Sequence, residues 1–250
     1  MKIRQEIRIL ILILACTAIN FPLQAQNFSV DAGADLASLY IWRGINVNDR
    51  PNIQPYISLK YYGLQFGFWG SYSLANINSN DDNYTASQEI DTWLSYSFDL
   101  GRGAGITALL TDYYYPRAGK NIGNFNNYDN VNGAGAHIIE ATINFTGPES
   151  FPLSLSNNVN IYNDEGYNTY FQLDYISSVN EIGIDLFIGA SPGSKKASEF
   201  YNTEKFNFIN VGLKVSKSIN ITKSFALPVY GSYILNPKLG KLFLVFGISI

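Results

Sequence analysis

Residues 89–100 read EIDTWLSYSFDL, and this stretch decides the fold. One parity holds the apolar residues Ile90, Leu94, Tyr96, Phe98 and Leu100, and the other holds Glu89, Asp91, Ser95, Ser97 and Asp99. Successive side chains of a β-strand point to opposite faces. The period of two therefore predicts a strand whose two faces meet different surroundings.

The same alternation recurs along the chain and gives twelve candidate strands, each about as long as the 9–11 residues that a tilted membrane strand needs. We therefore predict an all-β fold: a closed antiparallel transmembrane β-barrel of about 12 strands with up-and-down topology, over residues 26–250. An even strand number suits bacterial barrels. Closure is required because an unpaired strand edge has no hydrogen-bond partner in hydrocarbon.

Residues 1–25 have the pattern of a cleaved signal peptide, with three basic residues before an apolar run and a small residue, Ala25, at the expected cleavage site. This predicts export to the outer membrane of a Gram-negative bacterium. An alternative is lipidation at Cys16, which follows Ile13-Leu14-Ala15. If cleavage follows Ala25, the mature chain has no cysteine and no disulfide.

The charge and composition exclude several classes of protein. The formal net charge is −3, and without the three basic residues and one acidic residue of 1–25 it is −5. An acidic chain without a basic patch argues against nucleic-acid binding. After residue 25 no apolar run is long enough to predict a transmembrane helix.

The connections between the predicted strands alternate in length. Those after odd-numbered strands are mostly long and rich in Asn, Asp, Gly and Ser, whereas those after even-numbered strands are mostly short. Outer-membrane barrels have short periplasmic turns and longer outer loops. The alternation therefore predicts that both termini and the short turns face the periplasm.

Charged side chains fall on the parity opposite to the apolar residues, so they are predicted to line the lumen. The predicted lumen-lining residues are Asp31, Asp35, Arg43, Lys60, Glu89, Asp91, Glu140, Asp174, Asp185 and Lys214. Two interpretations remain open: an aqueous pore with a mild preference for cations, or a network in which Arg43 bridges Glu89 or Asp91 and fills the barrel. Asp112 does not fit the pattern, because it falls on the outward parity.

Aromatic residues cluster near the ends of the predicted strands, where interfacial girdles place amphipathic rings at headgroup depth. Tyr40, Trp42 and Tyr61 are the predicted girdle residues.

Catalysis is not expected. A hydrolase of the serine type needs a serine, a histidine and an orienting group close together. His137, the one histidine, stands at the start of a predicted strand with no such partners nearby in the sequence. We predict no enzyme activity, no catalytic or metal-ligating residue and no cofactor.

An ordered series of short motifs resembles the TorF-like family of outer-membrane porins. The motifs are Tyr40-Ile41-Trp42-Arg43-Gly44, Pro51, Gln54-Pro55, Gly67-Phe68-Trp69-Gly70-Ser71, Glu89-Ile90-Asp91 and Tyr113-Tyr114-Tyr115-Pro116. They cover roughly the first half of the chain after residue 25. The resemblance implies a porin but says little about what passes through it.

Together these observations favour a channel for passive passage of small hydrophilic solutes. The alternative is a structural or ligand-binding barrel with a plugged lumen that acts through its outer loops. A soluble periplasmic β-sandwich or lipocalin-like barrel is a third interpretation, which the many outward apolar residues oppose. The expected partners are outer-membrane lipid, small hydrophilic solutes and the barrel-assembly machinery during biogenesis.

Overall fold

A computed structural model describes residues 28–74, 88–129, 131, 133–196 and 198–250. The predicted signal peptide and the lipidation alternative at Cys16 lie outside these residues.

The described ranges contain fourteen strands, one short α-helix and one 3-10 turn at Pro116–Ala118. The strands are β1 (Phe28–Ala37), β2 (Tyr40–Trp42), β3 (Ile45–Asn48), β4 (Asn52–Tyr61), β5 (Leu64–Ser73), β6 (Gln88–Gly101), β7 (Ala104–Tyr114), β8 (His137–Thr146), β9 (Leu153–Tyr162), β10 (Thr169–Val179), β11 (Ile182–Ser191), β12 (Asn207–Asn220), β13 (Ala226–Asn236) and β14 (Lys241–Ser249). The helix is α1 (Ser198–Tyr201), a single turn between β11 and β12. Within the described ranges, no helix has the length and apolarity to cross a membrane.

All strands except β2 and β3 form one closed antiparallel barrel. Each strand pairs with its neighbours in the chain, and β1 pairs with both β4 and β14. At the closure, the backbone amides of Ala34 and Ile250 each donate to the other residue's carbonyl oxygen at 2.9 Å. The predicted closed up-and-down barrel of about 12 strands is confirmed.

The barrel has two unlike ends. Tight turns such as Tyr62-Gly63 and Asn180-Glu181 join strands at one end, which we call the turn end, and Phe28 and Ile250 lie there too. The longer connections leave from the opposite end, which we call the loop end. It carries the connection from β1 to β4, residues 38–51, which contains the hairpin formed by β2 and β3.

The outer surface of the wall is apolar. On β6, Leu94, Phe98 and Leu100 are exposed, whereas Glu89 and Asp91 on the other parity are buried. Side chains on the two faces of one strand therefore meet opposite surroundings, as the alternation in the sequence predicts.

The lumen is filled at one end and open at the other. Near the loop end, inward side chains such as Asn52, Ser71, Glu140 and Asn236 are buried. Near the turn end, inward side chains are exposed: Asp31, Lys60, Ser97, Asp99 and Thr146. The material that fills the loop end is the hairpin of β2 and β3 together with α1.

Candidate functional site: a hairpin across the lumen

The hairpin Tyr40–Asn48, which we call the plug hairpin, crosses the lumen from one wall to the other. At its base, the ring of Tyr40 lies 5.4 Å from that of Trp69 on β5. At its tip, Asn236 of β13 donates a hydrogen bond from Nδ2 to the carbonyl oxygen of Gly44 at 3.1 Å. The tip therefore contacts the wall at β13, four positions from β5 in the ring of twelve strands.

The hairpin turn places two residues in the left-handed region. Arg43 has φ 50° and Gly44 has φ 76°, and they link the paired residues Trp42 and Ile45. A two-residue turn with positive φ at both positions matches the twist of a hairpin and favours Asn or Gly. Arginine in this conformation costs about 1–2 kcal/mol. The contacts of the Arg43 side chain must offset that cost.

Those contacts form a buried ionic cluster, which we call the Arg43 cluster: Arg43, Glu140, Tyr113, Tyr170 and Tyr201. Arg43 donates from Nη1 to Oε2 of Glu140 at 2.6 Å and from Nη2 to Oε1 at 2.8 Å. Nη1 also donates to the hydroxyl of Tyr201 at 2.7 Å, and the hydroxyl of Tyr113 donates to Glu140 Oε1 at 3.1 Å. A bidentate pair of this kind has a fixed geometry, so it positions the hairpin as well as holding it.

Aromatic rings enclose the guanidinium group. Its Cζ atom lies 4.4 Å from the ring centroid of Trp42 and 4.6 Å from that of Tyr170. Cation–π contacts at this range stabilise a desolvated arginine. The Arg43 side chain is thus satisfied by a carboxylate in its plane and by rings on its faces.

Helix α1 folds into the lumen beside the hairpin. The ring of Tyr201 stacks on Trp42 with centroids 5.9 Å apart, and Phe200 meets Trp42 edge-on at 5.5 Å. Tyr201 is 1% exposed, and burial raises its pKa to about 12. Its phenol therefore remains neutral at physiological pH. The connection between β11 and β12, which contains α1, therefore forms part of the plug and is not only a surface loop.

A bulge in the wall supports this packing. β11 and β12 shift register between Gly189 and Ala190, so Ile209 has no partner in the ladder. Ile209 is 0% exposed and packs in the same apolar cluster as Tyr170 and Tyr201. Its position in the alternation predicts an outward side chain. That prediction is wrong because the bulge turns the residue.

The register fixes where the other predicted lumen residues lie, since paired residues of neighbouring strands project to the same face. Starting from Glu140, the pairs Thr111–Glu140, Trp93–Thr111, Gly67–Trp93, Ser58–Gly67 and Asp31–Ser58 lead around the wall to Asp31. Glu89, Asp91 and Glu140 are buried at the loop end; Asp35, Asp174, Asp185 and Lys214 are half-buried along the wall; Asp31 and Lys60 are exposed at the turn end.

Arg43 and two girdle residues differ from their predictions. Arg43 pairs with Glu140 on β8 and not with Glu89 or Asp91, because the hairpin carries it across the lumen. Tyr40 and Trp42 are wrong as girdle residues. β1 ends at Ala37, so the outward parity of that strand does not continue to them, and both rings pack inside the barrel. Tyr61 is exposed at the turn end beside Tyr62.

Asp112, the charged residue that falls on the outward parity, has a partner. His137 Nδ1 lies 2.9 Å from Oδ2 of Asp112, and its Nε2 lies 2.7 Å from the carbonyl oxygen of Ile122. The imidazole ring stacks between Phe125 and Tyr114, with centroids 3.9 and 5.2 Å away. The loop after β7 therefore folds over the outward face of the wall and covers this polar pair.

Replacing His137 with phenylalanine is expected to release this loop while the barrel stays folded. The ring stack is kept, but Asp112 and the Ile122 carbonyl lose their partner, which costs about 1–3 kcal/mol. Chymotrypsin should then cleave within residues 120–136 roughly tenfold faster, since cleavage follows the opened population. Val131→Ala is the control, because Val131 is 90% exposed in the same loop. Equal cleavage rates in wild type and His137→Phe would contradict the contact's role.

In the part of the chain that the structure describes, no group of His, Cys, Asp and Glu side chains is arranged to hold a metal ion.

The fold and the lumen define the class of protein: a closed twelve-stranded antiparallel barrel whose loop end is filled by its own first hairpin. Comparison with known families also assigns the chain to a protein family. Residues 24–227 match the family described as "Bacterial protein of unknown function (Gcw_chp)", and the chain belongs to this family. That description names neither TorF nor a porin. No curated protein matches the chain.

Proposed function

We propose that this protein is an outer-membrane channel for small hydrophilic solutes that the plug hairpin holds closed. The membrane location is supported by the apolar outer surface of a closed barrel, since closure satisfies every strand edge in lipid. The porin resemblance of the motifs, which include the plug hairpin itself, points the same way. The proposed partners are outer-membrane lipid, the solutes and the barrel-assembly machinery. We propose that the solutes pass through the barrel chemically unchanged and that the protein is not an enzyme.

The observation that carries the proposal is the way the hairpin is held. Among the described residues, β2 and β3 pair only with each other and form a two-stranded sheet separate from the wall. The tip is fixed by side-chain contacts, above all Arg43 with Glu140. Exchanging such contacts for water leaves the wall ladders intact. The hairpin is therefore suited to move out of the lumen while the barrel stays folded.

The inner wall supports aqueous passage once the hairpin leaves. Polar side chains follow the lumen on β9 and β10, where Asn158, Gln172 and Asp174 lie. Toward the turn end, Asp31, Asp99, Asp174 and Asp185 outnumber Lys60 and Lys214 on the lumen face. This excess of acids supports the proposed mild preference for cations.

Planar bilayers test the proposal directly. Single-channel recordings of the purified full chain should show rare, brief openings. A variant in which residues 41–47 are replaced by a short Gly-Ser linker should show long-lived conductance steps with mild cation selectivity. Heat-dependent mobility on a denaturing gel checks that both proteins are folded barrels. A folded hairpin-replacement variant that stays silent would contradict the channel.

A second candidate is a barrel with a permanently plugged lumen that acts through its outer loops. The observation that favours it is the loop after β7, which folds over the wall and in which Lys120 Nζ donates to the carbonyl oxygens of Ala134 and Gly135 at 2.7 and 2.9 Å. This candidate predicts that removing the loop abolishes binding of an outer ligand, whereas removing the hairpin produces no conductance.

A further inference from the structure

A cavity of about 450 Å³ lies in the lumen between the plug hairpin and the wall formed by β5, β6 and β7. The hairpin contributes Tyr40 and Trp42, and the wall contributes the other lining residues. Among the wall residues are the rings of Trp69, Trp93 and Tyr113 and the polar side chains of Asp91, Ser95 and Thr111. Its volume falls in the range of about 300–1,000 Å³ that is usual for small-molecule sites.

The aromatic lining is unusually concentrated. The chain contains three tryptophans, Trp42, Trp69 and Trp93, and all three line this cavity. Tyr40 packs on Trp69, and Tyr113 meets Trp42 edge-on with centroids 6.1 Å apart. The ring of Trp93 lies over Gly67, where a Cβ atom would come within 2.5 Å of it. The rings therefore form a box with flat faces on several sides.

One lining residue is a carboxylate whose hydrogen-bonding capacity is not met. Asp91 is 8% exposed, and its Oδ1 atom is buried without a hydrogen-bond partner among the described residues. Arg43, the cation at the tip of the plug hairpin, is committed to Glu140. Glu89, two residues from Asp91, is buried as well, and its partners are hydroxyl groups: it accepts from Tyr115 at 3.4 Å and from Tyr40. This side of the lumen therefore holds more acid than base.

We propose that this cavity binds a small organic cation of the alkylammonium type. Aromatic faces attract a cation through their quadrupoles, and boxes of such rings suit quaternary ammonium groups. The buried Asp91 carboxylate supplies the opposite charge that a desolvated cation requires, and the cation in turn offsets the cost of burying Asp91. Ser95, Thr107 and Thr111 provide hydroxyls for polar substituents.

The cavity is reached from the turn end. Thr107 lines it, and the Thr107 hydroxyl lies 2.9 Å from that of Ser97, which is exposed. Water and small solutes in the open half of the lumen therefore meet the cavity without displacement of the hairpin. The inference goes beyond the proposed channel, since binding here requires no passage through the barrel.

Choline and its neutral isostere 3,3-dimethyl-1-butanol test this proposal on the full chain in tetraethylene glycol octyl ether micelles. Because every tryptophan lines the cavity, choline binding should change the whole tryptophan emission, and calorimetry gives the affinity. Choline should bind at least about tenfold more tightly than the isostere, because only choline carries the charge that the rings and Asp91 attract. Equal affinity, or no binding of choline at about 100 mM, would overturn the proposal.

Two variants locate the site. Asp91→Asn should weaken choline at least about tenfold and leave the isostere unchanged, because only the charge interaction is lost. Asp99→Asn is the matched control: Asp99 lies on the same face of β6 but is exposed and outside the cavity. Unchanged choline affinity in a folded Asp91→Asn protein would overturn the assignment. If that variant does not fold, the comparison of choline with its isostere on the unaltered chain still decides the question, and neither measurement depends on conductance.

Discussion

Replacing Arg43 with methionine is expected to raise the ratio of the open to the closed state of the proposed channel by about two to three orders of magnitude. The change leaves Glu140, which is 2% exposed, as a buried carboxylate without its cation. Breaking a buried ion pair on one side costs about 3–5 kcal/mol. The hairpin escapes that cost when it leaves and water reaches Glu140. Open probability in planar bilayers measures the shift.

A double-mutant cycle separates the ion pair from its surroundings. Glu140→Met should also favour opening, because it strands Arg43 beneath the rings. The double variant Arg43→Met/Glu140→Met should lie much closer to wild type than the sum of the two effects, since no orphan charge remains. Lys60→Met is the control for removing a lumen cation away from the plug. Additive effects would show that the two side chains act independently.

Alanine at position 44 is expected to unseat the hairpin tip. A Cβ atom there would lie 1.9 Å from the backbone carbonyl oxygen of Ile209, and the residue has φ 76°. Left-handed backbone alone costs a non-glycine residue about 1–2 kcal/mol. The clash adds to this because neither backbone can yield easily. The tryptophan emission of the chain should shift to longer wavelength as the tip carries Trp42 into water, and the conductance in bilayers should rise.

Gly240→Ala provides the matched comparison. Gly240 also has positive φ, at 62°, but no atom lies within 4 Å of the position that a Cβ would take. Alanine at position 240 therefore carries the conformational cost of positive φ without a steric clash. The difference between the two variants therefore measures the contact of Gly44 with β12. Equal emission and conductance in both would show that the tip is not tightly seated.

The wall of the barrel was predictable because it depends on residues that are close together in the sequence. Each strand separates an apolar surface from a polar interior, so the alternation around Leu94, Ser95 and Tyr96 carries the fold in a few residues. Pairing between neighbours in the chain then follows from turns such as Tyr62-Gly63. No distant contact is needed to specify the wall.

The plug was not predictable by the same means. Tyr40 and Trp42 continue an alternating pattern, and an aromatic ring suits a lipid interface as well as a packed lumen. What distinguishes the two is the end of β1 at Ala37, which a bend at Ser38 follows, and the glycine turn at Gly44. The partner of Arg43 lies 97 residues away, and no local pattern identifies it.

The contact of Asp112 with His137 had a usable indication in the sequence. Both are polar residues on the outward parity at the loop ends of neighbouring predicted strands. In the ladder Asp112 pairs with Ile139, and Tyr114 pairs with His137, which makes the two polar residues diagonal neighbours. Two polar residues on the outward parity of adjacent strands indicate that their side chains contact each other, whereas either one alone resembles an ordinary surface residue.

The attachment of the plug hairpin gives the barrel a direction. Its two ends join β1 and β4, which are adjacent strands, and both joints lie at the loop end. The hairpin can therefore swing only away from the turn end, like a flap hinged on one side. A force from the turn end lifts it, and a force from the loop end presses Arg43 onto Glu140. The proposed channel should consequently rectify: ionic current of one polarity will exceed the other, and the sign of the asymmetry will reveal the orientation of each inserted molecule.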